Sequence, residues 1–132
     1  MRRFLLAVAM SAGLLVSVPA LTAAASAETF VPVRLTVWDT EDWTGADEVS
    51  MRYLGNDWQM PLNNNQFGVP DAKTFSGSFG IEVLDLDLGN WMDPHDLIGT
   101  HTVSAEQKGR GEQSAHFFGH GAHYELRYRV ED

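Results

Sequence analysis

Four aspartates, Asp85, Asp87, Asp93 and Asp96, fall within one short stretch, DLDLGNWMDPHDLIG, from Asp85 to Gly99. Carboxylates crowded this closely repel one another unless something positive sits among them. A hard cation held by oxygen ligands answers that requirement, and calcium is the leading candidate. A second acidic segment, Asp39 to Glu48, carries Asp39, Glu41, Asp42, Asp47 and Glu48. The competing reading is that both segments are solvated loops that keep the protein soluble. Their recurrence between strand-like runs favours the metal.

The elements that must position these acids are strands. Val31, Val33, Leu35 and Val37 alternate with Pro32, Arg34, Thr36 and Trp38, the period of two expected of a half-buried strand. Val49, Met51 and Tyr53 repeat the pattern. Tyr124, Leu126, Tyr128 and Val130 define one face of a last strand, with His123, Glu125, Arg127 and Arg129 on the other. Ile81–Leu84 and Ile98–Val103 flank the Asp85 loop, and weaker runs cover Trp58–Met60, Phe75–Phe79 and Ala115–Phe118. No stretch shows sustained helical periodicity. The expectation is an all-β chain, an antiparallel β-sandwich of seven or eight strands in a single domain spanning 28–132. Strand ends cluster at two edges of such a fold, so the two acidic loops can meet. Ile81 and Val83 share parity with Asp85 and Asp87, whereas Leu84, Leu86 and Leu88 have the other. Either both faces are covered there or a bulge changes the facing.

An EF-hand loop matches the aspartates at Asp85, Asp87, Asp93 and Asp96. It fails at Gly89 and Asn90, and its flanks here are strands rather than helices. The D-x-D pair after a strand, followed by a D-x-x-G that opens the next strand, resembles the third calcium loop of C2 domains. Asp39 after an early strand and Ala46-Asp47-Glu48-Val49 opening the next resemble the first calcium loop of that family. The resemblance runs loosely from Leu35 to Val103. It implies a C2-like sandwich with Asp39, Asp47, Asp85 and Asp87 as calcium ligands. Either Asp93 or Asp96 would be the fifth, because three extra residues separate D-x-D from D-x-x-G.

The first 27 residues read as a secretory signal peptide. Arg2 and Arg3 precede an apolar run from Phe4 to Val18, and Ala25-Ser26-Ala27 offers a cleavage site. The protein is therefore expected outside the cell. It contains no cysteine, so no disulfide reinforces it, and a bound ion would supply the missing staple. The formal charge is −9, and loss of Arg2 and Arg3 with the leader deepens it by two. That balance argues against nucleic acid and against direct attraction to anionic membrane.

Other residues could carry chemistry. His116, His120 and His123 suggest zinc, but their spacing is irregular, and His116 and His123 can simply be cross-strand neighbours. Trp43 and Trp91 lie within the acidic loops, where they could contact a lipid, a glycan or another protein. The chain lacks a G-x-S-x-G elbow, a cysteine nucleophile, a phosphate loop and H-E-x-x-H, so no enzyme is expected. The leading reading is a monomeric, secreted, calcium-binding sandwich. The rival is a metal-independent secreted module, carbohydrate-binding or inhibitor-like.

Overall fold

A computed structural model describes residues 15–17, 19, 26–41, 45–87 and 95–132. Most of the expected leader, together with Trp43, Trp91 and Asp93, lies outside the described residues. Nine strands form among those described. They are β1 (Glu28–Asp39), β2 (Asp47–Tyr53), β3 (Asn56–Leu62), β4 (Gln66–Gly68), β5 (Lys73–Phe75), β6 (Ser78–Asp85), β7 (Asp96–Ser104), β8 (Gln113–Gly119) and β9 (Ala122–Glu131). One antiparallel sheet runs β4-β1-β9-β8, with β5 pairing the start of β1. The other runs β3-β2-β6-β7. The two faces enclose a core that draws Leu35, Val37, Leu126 and Tyr128 from the first sheet and Val49, Met51, Ile81 and Val83 from the second. Every core residue among those described falls between Phe30 and Val130. The expected sandwich is what forms, with nine strands among the described residues where seven or eight were expected; Gln66–Gly68 adds a short edge to β1.

Alternation holds where the pleat is regular. In β2 the odd positions from Asp47 to Tyr53 are buried, and in β9 the even positions from Tyr124 to Val130 are buried. In β1 the pattern changes phase. Phe30 and Pro32 are buried at the start of the strand, Leu35 and Val37 at its end, and Val31 and Val33 are only half-buried. Pairing with β9 jumps from Pro32↔Tyr128 to Arg34↔Arg127, so Val33 is an extra residue. An inserted residue swaps the two faces downstream of it. This corrects the expected inward stripe of Val31, Val33, Leu35 and Val37. A second bulge follows at Trp38, between Val37↔Tyr124 and Asp39↔His123.

The two ends of the sandwich differ in chemistry. One is aromatic: Phe30 meets Tyr53, Phe79 and Tyr128 with ring centroids 5.4, 5.2 and 5.5 Å away. Edge and tilted contacts of this kind add to the burial of the rings. The opposite end collects the close of β1, the starts of β2 and β7, the close of β6 and the β8–β9 turn. That end is acidic.

Candidate metal centre

Strand pleat explains why carboxylates reach the interior at this end. Asp47 continues the inward stripe of Val49 and Met51, and Asp85 continues that of Ile81 and Val83. Asp47 is 0% exposed and Asp85 is 1% exposed. Buried carboxylates require hydrogen-bond donors. Tyr124 Oη donates to Asp47 Oδ2 across the sandwich at 2.5 Å. The Glu41 backbone N–H donates to the same oxygen at 2.8 Å. Burial first, and then the Asp47 carboxylate, hold the Tyr124 hydroxyl protonated far above the usual tyrosine range. Asp47 thus anchors the β1–β2 connection to the core through the backbone of Glu41.

At the close of β6 both faces are covered: Asp85 faces inward with Ile81 and Val83, and Leu84 and Leu86 on the other parity are buried too. Val83 pairs with Gly99 and Leu84 with Leu97, leaving Ile98 as an extra residue in β7. The bulge lies in the partner strand. It leaves Asp85 directly opposite Asp96, and like charges in that relation destabilise a sheet. Glu41 joins them from the neighbouring loop. Burial first, then side-chain contacts with Asp96 and Asp85 and the charge on both, push the Glu41 carboxyl up to about 8. One of these carboxyl groups therefore keeps its proton near neutrality.

His120 completes the group. It occupies the two-residue β8–β9 turn with Gly121, both in the left-handed region at φ 51° and 81°, as tight I′ hairpins require. Its Nδ1 lies 3.6 Å from Asp96 Oδ1. One ligand atom each from Glu41, Asp96 and His120 lies within 4.8 Å of the others. Gly119 permits this approach: a Cβ there would meet the Ile98 carbonyl oxygen at 2.6 Å, a backbone contact that no rotamer change relieves.

Of the residues singled out in the sequence, the structure brings Asp47, Asp85 and Asp96 to this end. Asp87 is half-buried beyond Asp85, and its backbone N–H donates to His95 Nδ1 at 3.0 Å. Asp39 is exposed. The Trp38 bulge sets it in register with His123, on the outward face of the first sheet. Sequence reading did not select Glu41 as a ligand, and it raised His120 only for zinc, together with His116 and His123. The Asn63–Asn65 turn also supports the site: Thr40 N–H donates to Asn64 Oδ1 at 2.8 Å, and Asn65 N–H to the Val37 carbonyl at 2.7 Å.

The raised Glu41 carboxyl has a pH signature in metal-free protein. Its folded value of about 8 stands above the ordinary value of 4.5, so between those values the folded state binds more protons than the unfolded. Stability must then fall as pH rises through that window. Urea midpoints taken from pH 5 to pH 8.5 should decline, and Glu41→Gln should flatten the decline. Identical slopes in the two proteins would contradict the assignment.

No protein-family model and no curated protein sequence matches the chain. Solved structures do. A C2 domain superimposes with TM-score 0.51 at 13% identity, covering 79% of this chain and 96% of that one. A C2 domain of plant extended synaptotagmin 1 superimposes with TM-score 0.53 at 11% identity, covering 83% and 97%. The likeness establishes a C2-like β-sandwich, as the loop motifs implied.

Proposed function

We propose that this chain is a secreted, non-enzymatic calcium-binding module whose acidic end holds the ion through Glu41, Asp85 and Asp96. Asp47 serves beside them as the residue that fixes the Glu41 loop. The observation that carries this reading is the convergence of three carboxylates, with Asp85 directly opposite Asp96 and Glu41 against both. The donor set fits a hard cation, since carboxylate oxygens dominate it. His120 stands at its edge, against Asp96. A bound calcium ion supplies positive charge and accepts six to eight oxygen ligands, with loop carbonyls and water completing the shell.

Of the two candidates for the fifth acidic ligand, Asp96 is preferred, because it lies opposite Asp85 and beside Glu41. Asp87 and Asp93 belong to the same connection. By their places in the two acidic segments of the sequence, Trp43 and Trp91 would offer contacts to an extracellular lipid, glycan or protein. The leader-like start, Arg2 to Ala27, supports secretion.

Ligation requires an ionised carboxylate, so calcium uptake must displace the Glu41 proton. Calorimetric titration at pH 7 in two buffers of different ionisation enthalpy should reveal the release of up to about one proton per ion. Glu41→Gln should abolish that release. Binding heats independent of buffer would contradict the reading.

A further inference from the structure

The outward face of the β8–β9 hairpin carries a second group of metal-competent side chains, distinct from Glu41, Asp96 and His120. Strand register sets His116 opposite Glu125 and Phe118 opposite His123. His116 and His123 are therefore diagonal neighbours on one face, and His116 Nδ1 lies 2.9 Å from His123 Nε2. We propose that these two nitrogens form a bidentate site for a divalent transition ion of the Cu(II), Ni(II) or Zn(II) kind.

Three features support the site. The first is the nitrogen separation. Two imidazole nitrogens bound at about 2.0–2.1 Å and at a right angle lie about 2.9 Å apart. Seating an ion at that separation requires each ring to turn by roughly 45°, since the hydrogen bond aims the two nitrogens at each other and a shared ion lies off the line joining them. The second is the carboxylate behind His116. Its Nε2 lies 3.4 Å from Glu125 Oε2, and Glu125 is itself buried, accepts from Ser114 Oγ at 2.8 Å and lies 3.6 Å from Arg127 Nε. Ligating histidines commonly donate their other nitrogen to such a carboxylate, which fixes tautomer and ring orientation. The third is ring stacking. Phe118 stacks on His123 at 4.2 Å and on His116 at 6.1 Å, with interplanar angles of 19° and 13°. Both rings are thereby held close to parallel with it.

The tautomers follow from this arrangement. The Glu125 carboxylate beside His116 Nε2 favours the tautomer protonated there; its Nδ1 is then the acceptor, and His123 Nε2–H donates to it. On ion binding the His123 proton transfers through solvent to its own Nδ1. Both facing nitrogens then present lone pairs to the ion, with no net proton release. Imidazole nitrogen suits copper, nickel and zinc far better than calcium, so this site and the acidic end select different ions.

The test is Cu(II) titration of N-acetylated residues 28–132 with calcium saturating, read by pulsed electron paramagnetic resonance and by calorimetry. The expected result is one copper per chain with two coordinated imidazoles. His116→Ala and His123→Ala should each weaken binding at least about tenfold, and Glu125→Gln about ten- to one-hundredfold. His116→Asn, which keeps a polar side chain, should reproduce the loss with an unaltered melting curve. No binding at micromolar copper, a single coordinated imidazole, or undiminished affinity in His116→Ala and His123→Ala would overturn the proposal and leave only a hydrogen-bonded pair.

Discussion

Calcium should raise the melting temperature of residues 28–132 by roughly 10–20 °C when present at about 100 times its dissociation constant. At that ratio, binding to the folded state alone contributes about 2.7 kcal/mol. A domain of this size gains about 4–8 °C per kcal/mol. At a fixed multiple of the dissociation constant that gain does not depend on the metal-free state; the repulsion among Asp85, Asp96 and Glu41, which face one another across two strands and the neighbouring loop, acts on the dissociation constant itself. A cation converts that mutual repulsion into attraction. Asp85→Asn combined with Asp96→Asn should abolish the calcium response and also raise the metal-free melting temperature, since repulsion is removed. Superimposable melting curves in calcium and in chelator would contradict this account.

The second large effect concerns Asp47, whose part differs from that of its neighbours. Asp47→Ala deprives two donors, the Tyr124 hydroxyl and the Glu41 amide, of the same acceptor. Each buried donor left without a partner costs about 1–3 kcal/mol, so the variant should lose about 2–6 kcal/mol by urea denaturation in chelator. Tyr124→Phe removes one of the two hydrogen bonds and leaves the charged acceptor with the other, so its loss should be smaller. A double-mutant cycle of the two should show coupling, as groups sharing a hydrogen bond do. An Asp47→Ala variant as stable as the wild type in chelator would show that the anchor contributes nothing.

Regular pleating made much of the fold legible. β2 and β9 could be read residue by residue because nothing interrupts their alternation from Asp47 to Tyr53 and from Tyr124 to Val130. β1 could not, because the extra residues at Val33 and Trp38 leave no mark in composition. The first swaps the buried face, and the second sends Asp39 outward although it shares parity with the buried Val37. β4, at three residues, is too short to show a period. The acidic end was foreseeable as a meeting of two loops, but its membership was not. Glu41 is one of five acids between Asp39 and Glu48, and only the hydrogen bond from its amide to Asp47 distinguishes it. His120 was recoverable in principle. His120-Gly121 separates two strand-like runs by two residues, so a tight hairpin was implied. That its turn meets the start of β7 depends on sheet packing, which no local pattern encodes.

The central claim is that calcium is held at the buried acidic end by Glu41, Asp85 and Asp96. A calcium titration of residues 28–132 followed through the side-chain carboxyl ¹³C resonances tests it most directly. The resonances of those three residues should shift together and saturate at one stoichiometric point, with Glu41 passing from protonated to ionised at pH 7. If none of the three responds, or if shifts are confined to exposed acids such as Asp39 and grow without saturating, calcium is not held there and the account fails.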